Sequence, residues 1–287
     1  MNVNYSKLCE SDLEDEPLFK AFLDKNLELT EYIISVKSKE NKLLNSDSYG
    51  SLSWEMESGS TPLIAAIKLN LFDLVEALII FGADVNELDE RGLDPLGYAC
   101  SYSDTEIVKL LIDAGSESEQ YGQGFNAVQS ACRSSNAEAL KLVLEAGVCV
   151  TQEDLSPNNQ PLFLACQYED LLIISLLLEY GANVDYVFEK KSDTYLITAI
   201  LESKHEVVTI LLSGNANTNI KGKHGQTALH HAISMNHINT VKLLLLNGAN
   251  IHVKNDAGLS PLDLARKSKN IVLLAIVTEA SYLRILH

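Results

Sequence analysis

Residues 227–232 read Thr227-Ala228-Leu229-His230-His231-Ala232, and six further stretches repeat their pattern: Thr61-Pro62-Leu63-Ile64-Ala65-Ala66, Asp94-Pro95-Leu96-Gly97-Tyr98-Ala99, Asn126-Ala127-Val128-Gln129-Ser130-Ala131, Gln160-Pro161-Leu162-Phe163-Leu164-Ala165, Thr194-Tyr195-Leu196-Ile197-Thr198-Ala199 and Ser260-Pro261-Leu262-Asp263-Leu264-Ala265. In chain order the first residues are separated by steps of 33, 32, 34, 34, 33 and 33. So regular a step makes the repeat the unit of structure, whatever the length of the whole chain suggests.

A second landmark keeps the same register: Gly82, Gly115, Gly147, Gly181, Asn215 and Gly248, each after an apolar run. Glycine enters the left-handed backbone region without a Cβ clash and therefore ends helices, and asparagine is its usual substitute. Gly214 comes one residue early, so Asn215 is the expected left-handed cap.

Between the landmarks, local chemistry builds a helix pair. Thr or Ser before Pro caps a helix while Pro fills its first turn, where a missing N–H costs nothing. A short helix follows, then a break, then a second helix with apolar residues at helical spacing, such as Ile107, Val108, Leu110 and Leu111 or Val241, Leu243, Leu244 and Leu245. The polar stretch Asp84 to Gly92 is long enough for a protruding hairpin leading to the next cap. One such unit cannot bury both helices, so a core requires stacked neighbours.

A helix pair of about 33 residues with the pattern T-P-L-H-x-A, best kept at residues 227–232, resembles the ankyrin repeat. The resemblance covers residues 60–287 and implies an all-α solenoid of helix-turn-helix units with short β-hairpin loops, seven repeats plus an N-terminal cap. Departures are local. The third copy has Asn126-Ala127 for Thr-Pro, and the hairpins around residues 155–159 and 188–193 each carry about one extra residue. Glu16-Pro17-Leu18-Phe19-Lys20-Ala21 falls in the same frame without a terminal Gly, so residues 1–36 are expected to form a degenerate capping repeat. Residues 37–59, with six serines, Trp54 and no helical period, are expected to be an insertion or flexible segment, with a binding segment or an unrecognised helix as the alternatives. The last unit, with Tyr282, Arg284 and His287, is expected to close the other end.

Composition narrows the function. With 46% hydrophobic and 21% charged residues the 287-residue chain is globular in character. The run Leu171–Leu178 is broken by Ser175 and closed by Glu179, short of the ~18 apolar residues of a membrane span. An N-terminus with Asp12, Glu14, Asp15 and Glu16 is no secretory leader, and five dispersed cysteines without a C-x-x-C pair fit a reducing, cytoplasmic interior. The net charge is −17, and residues 60–124 hold 3 Lys and Arg against 12 Asp and Glu, which repels a phosphate backbone and favours a protein partner with a basic or mixed surface.

No phosphate-binding loop, zinc-protease helix, nucleophile elbow or dinucleotide fingerprint occurs, so no enzyme, cofactor or metal is expected. His224, His230, His231 and His237 crowd one repeat without a carboxylate or thiol at ligand spacing. The resemblance makes His230 a structural hydrogen-bonder between loops. Cys100, Cys132 and Cys166 share one slot and read as small core residues.

The resemblance also assigns ligand-facing positions: the hairpin tips, and the two residues after the paired small residues of each first helix, on the concave side. Here the helix positions are Lys68 and Leu69, Ser101 and Tyr102, Arg133 and Ser134, Gln167 and Tyr168, Leu201 and Glu202, Ser234 and Met235, and Lys267 and Ser268. Leu69, Tyr102, Arg133, Tyr168 and Met235, with Arg91, Tyr121 and Phe188 at the tips, are the candidate partner-binding residues, because tyrosine, arginine and methionine are enriched in interface cores. The expected function is that of a non-catalytic scaffold or adaptor. The alternatives are an effector that masks a partner enzyme, including one of a foreign host, or the targeting module of a larger enzyme.

Overall fold

The computed structural model describes residues 61–89, 91–117, 126–150, 159–187 and 193–283, with side chains up to residue 280. The expected cap 1–36 and the segment 37–59 lie outside these. The chain divides into two compact units, Met1–Cys149 and Val150–His287.

The first unit consists of three helix pairs: α1 Pro62–Lys68 and α2 Phe72–Ile80, α3 Pro95–Tyr102 and α4 Thr105–Asp113, α5 Ala127–Ser134 and α6 Ala137–Glu145. The second has four: α7 Pro161–Tyr168 and α8 Leu171–Glu179, α9 Tyr195–Leu201 and α10 His205–Ser213, α11 Ala228–Ser234 and α12 Ile238–Leu246, α13 Pro261–Lys267 and α14 Ile271–Leu283. Within each unit first helices pack on first helices and second on second: α1 on α3 on α5 and α2 on α4 on α6, then α7 on α9 on α11 on α13 and α8 on α10 on α12 on α14. The protein is therefore an all-α helical-repeat array.

The caps begin the helices as the repeat pattern predicts. Thr61 accepts the Ile64 N–H at 3.2 Å, Thr194 that of Ile197 at 3.3 Å, and Asp94 that of Gly97. Asn126, where Thr-Pro is missing, forms a full capping box with Gln129, each side chain taking the other's N–H at 2.9 Å. Only Gln160 makes no side-chain cap bond among the first-helix starts that follow this Thr/Ser/Asp/Asn slot with Pro.

Packing follows from the slots. Each second helix presents one apolar face, as Ile107, Val108 and Leu111 do in α4, all of them 1% exposed or less. Burying one such side chain stabilises by roughly 1.5–3 kcal/mol. The signature alanines Ala66, Ala99, Ala131, Ala165, Ala232 and Ala265 are fully buried, which lets first helices approach closely. At the far end of the second helices the predicted left-handed caps occur: φ is 90° at Gly147 and 62° at Asn215, while Gly214 stays at −80°. Gly214 serves packing instead, since a Cβ there would meet Leu178 Cδ1 at 2.7 Å.

A second set of left-handed residues lies in the turn between the two helices of a pair: Asn70, Ser135, Glu169, Ser203, Asn236 and Lys269, with φ from 54° to 60°. Ser103 fills the same slot in the second repeat but is extended, at φ −116°.

Loops close as tight turns. Asp89 N–H donates to Leu93 C=O at 3.0 Å, Gly222 to Gln226 at 2.8 Å, and Asn255 to Leu259 at 3.0 Å. The described residues hold no multi-residue strand, only the isolated antiparallel bridge between Val187 and Thr194. The final helix α14 has 13 residues where the other second helices have 9. Its stop signal is absent: Ser281 stands one period after Gly248.

Candidate functional site

The turns that follow the first helices are joined from one repeat to the next by side chains. In the first unit, Asn70 Nδ2 donates to Asp104 Oδ2 at 2.8 Å and Asp104 N–H returns a bond to Asn70 Oδ1 at 3.1 Å. Ser103 Oγ donates to Ile67 C=O at 2.8 Å, and Ser134 Oγ and Asn136 Nδ2 donate to Cys100 C=O at 3.0 and 3.3 Å. In the second unit, Lys204 Nζ donates to Cys166 and Gln167 C=O, both at 3.1 Å, and pairs with Glu202 at 2.8 Å. That ammonium satisfies carbonyls at the C-terminal end of α7, where the helix dipole favours a cation.

The loops are joined likewise. Asn86 Oδ1 accepts Glu117 N–H at 2.8 Å, Asp185 Oδ1 accepts Asn217 N–H at 2.8 Å, and Asn219 Oδ1 accepts Asn250 N–H at 2.7 Å. His230 carries out the role the repeat pattern gave it. Its Nδ1 accepts Thr227 N–H at 3.1 Å, so Nε2 carries the proton and donates to Leu259 C=O at 3.1 Å. Burial, foremost, holds its pKa below the usual histidine value. The joints at Asn70, Ser103, Ser134 and Lys204 tie down the turns beside Leu69, Tyr102, Arg133 and Tyr168.

On this framework Tyr102 is 63% exposed, Leu69 45% and Tyr168 53%. Arg133 and Arg91 are exposed and Met235 is half-buried. Leu69, Tyr102, Arg133 and Arg91 belong to the first unit, Tyr168 and Met235 to the second. Tyr121 and Phe188 lie outside the described residues. Tyr102 stacks on Tyr98, with ring centroids 6.0 Å apart, and Lys68 Nζ stands 5.0 Å from the Tyr98 ring centre. Tyr98 O–H donates to Asp89 at 2.6 Å, and Asp89 also accepts the N–H groups of Arg91 and Leu93. Burial first and that hydrogen bond second raise the Tyr98 phenol far above its ordinary pKa, so it stays a donor. The sequence reading missed Tyr98 and Lys204: the fifth position of the repeat pattern reads as core, and a lone lysine gives no signal of its carbonyl partners.

The reactive groups are largely withdrawn. Cys100, Cys132 and Cys166 are buried, and burial pushes the Cys166 thiol up to about 12. Among the described residues no group of three His, Cys, Asp or Glu is placed to hold a metal ion, and no helix is long and apolar enough to cross a membrane. A groove of about 380 Å³ between α12 and α14 is lined by Leu245, Leu246, Ala249, Ile251, Ile276 and Ala280, with Lys242 and Glu279 at its edge.

Among the described residues these helix pairs define a helical-repeat array whose distinguishing feature is its shaped surface. Family profiles described as ankyrin repeats in 3 copies match residues 63–154 and 151–222, and one described as many copies matches 210–265. The chain belongs to the ankyrin repeat family. It is 29% identical over 214 residues to the B-cell lymphoma 3 protein homolog of Mus musculus, covering 75% of this chain and 41% of that protein. An ankyrin repeat protein of fowlpox virus is 31% identical over 131 residues, 44% of this chain and 38% of the viral one. The human palmitoyltransferase ZDHHC13 is 27% identical over 259 residues, 36% of its length. The chain thus spans less than half of each of these relatives. Among solved structures, the ankyrin repeat domain of Bcl-3, described as a unique member of the IkappaB protein family, matches 77% of this chain and all of that one at TM-score 0.67 and 27% identity. The human ASB11 ankyrin repeat domain shares the fold, at TM-score 0.58 and 24% identity over 77% of this chain and 98% of that one.

Proposed function

We propose that this chain is a non-catalytic scaffold or adaptor that grips a partner protein on the first-helix side of its repeats, the concave groove of ankyrin arrays. One observation carries the reading. Leu69 and Tyr102 occupy the same slot in consecutive repeats of the first unit, Tyr168 and Glu202 do so in the second, and the apolar members project into solvent from turns that side-chain joints hold rigid. Exposed aromatic residues on a rigid support give large contact area at low entropic cost, the character of interface hot spots. The partner surface is basic or mixed in charge, matching the excess of acidic residues over 60–124. Residues 1–36 serve as a degenerate capping repeat, 37–59 as an inserted segment, and 60–287 as the array. An intracellular site of action fits the buried thiols.

The test is capture of partners by the intact chain and by a Tyr102→Ala, Tyr168→Ala double variant. Loss of more than ~1 kcal/mol of affinity supports the reading, and a smaller change moves the docking face elsewhere.

The likeness to a fowlpox virus protein favours a second reading, an effector that covers the working surface of a host enzyme. Inhibition of a captured enzyme by the purified chain distinguishes it from a passive scaffold.

A further inference from the structure

The charge of the first unit is sorted by face. Asp73, Glu76, Glu106, Asp113, Glu138 and Glu145 are all exposed and lie on the second helices α2, α4 and α6, where they outnumber the exposed Lys109 and Lys141. The first helices α1, α3 and α5 contain no Asp or Glu. They carry Lys68 and Arg133 instead, and Arg91 lies close enough to Tyr98 to act on its phenol. Of the carboxylates beside this row, Asp89 is buried under three hydrogen bonds, Asp94 is a buried helix cap, and Asp104 is tied to Asn70. The −17 net charge therefore conceals a cationic strip.

Lys68, Ser101 and Arg133 occupy one slot in three consecutive repeats. Packed helices lie ~8–10 Å apart, so the two cations stand about 16–20 Å from each other with the second repeat between them. At ~3.3 Å per residue, an extended chain covers that span in five or six residues. Midway lies Tyr102, its ring supported by Tyr98. Screening weakens the competition from the acidic helices. They form the next layer out, and at physiological ionic strength the Debye length is only ~8 Å. An arginine has five N–H donors and a lysine three, so each can add a carboxylate to its present contacts.

We infer that the first unit binds an extended acidic segment of the partner protein, with two carboxylates six residues apart on one face of the strand meeting Lys68 and Arg133, and an apolar side chain on that same face, two or four residues after the first, resting on Tyr102. This rests on the reading of the first-helix side as the docking face, and adds the chemistry of what docks there.

The experiment uses two fluorescein-labelled 12-residue peptides and the full chain at about 0.15 M salt. One peptide has two glutamates six residues apart with leucines two and four residues after the first, on the same face of the extended chain, and the other has glutamine in place of both glutamates. The expected result is that the glutamate peptide binds about tenfold tighter or more, and that Lys68→Glu and Arg133→Glu each abolish most of that advantage. Arg133→Gln, with an unchanged thermal midpoint, should lose part of it, which separates charge from folding. If both peptides bind equally and Tyr102→Ala weakens both, the acidic preference is overturned while the docking face stands. If neither binds, the acidic segment is overturned, and the partner-capture comparison decides the docking face independently.

Discussion

Asn70 and Asp104, 34 residues apart, hold each other by two hydrogen bonds, and Asn70 does so from a left-handed backbone at φ 54°. The residue thus has two tasks, to turn the chain between α1 and α2 and to hold the next repeat. Asn70→Gly separates them, because glycine keeps the turn and deletes the joint. The expected cost is about 1 kcal/mol in the denaturation midpoint, modest because both partners are exposed. No loss would mean that the turn is its whole contribution.

Glu169 and Lys269 are left-handed at φ 56° and 58° without the short side-chain amide that eases this conformation in Asn. Left-handed backbone costs an L-residue ~1–2 kcal/mol, while glycine adds ~0.5–1 kcal/mol of unfolded-chain entropy. Glu169→Gly and Lys269→Gly should each stabilise by about 0.5 kcal/mol. Ser103→Gly should destabilise, since Ser103 is extended and its Oγ holds Ile67 C=O. Urea titration of the three variants reads the opposite signs.

Leu244 is fully buried and Leu246, two residues on, is 85% exposed. Leu244→Ala should cost about 2–5 kcal/mol, and Leu246→Ala less than about 0.5 kcal/mol. Leu177→Ala, equally buried in α8, should behave like Leu244→Ala. Because contacts run between neighbours, such damage should unfold the second unit while hydrogen exchange in α3 and α4 stays slow.

Acid should weaken the second unit. Burial, as the largest cause, lowers the pKa of His230, His231 and His237, and His205 adds to this at His237, where the two rings lie 5.2 Å apart. A histidine whose folded pKa lies below its unfolded value of ~6.5 takes up a proton on unfolding. Its contribution is complete above that value and is lost as pH falls through the folded pKa. Asp263 is shifted down, so its own effect belongs to lower pH, below the ordinary ~3.9 of an aspartate. The thermal midpoint should therefore fall between pH 7.5 and 5, and less steeply in His237→Asn. A flat profile would refute this.

Much of the fold was legible because a helix start and a helix stop each need particular chemistry. Thr61-Pro62 and Gly147 signal their backbone through residue type, and even the substitution at Asn215 could be read. The turn between the helices could not. Its left-handed slot is filled by Asn, Ser, Glu and Lys, so the conformation is imposed by packing on both sides and leaves no residue signature. The candidate surface was half legible. Tyr102 and Tyr168 follow from their slots, but the charge sorting between helix faces is lost in a segment total such as 3 against 12 for residues 60–124.

The joints at Asn86, Asp185 and Asn219 each place an acceptor side chain in one repeat and its donor backbone in the following one, 31 or 32 residues on. A segment of one full period accordingly carries a socket for its successor and a plug for its predecessor. Duplication of such a segment re-mates these loop joints, so at those seams a gene encoding this chain can lengthen its product with socket and plug still matched.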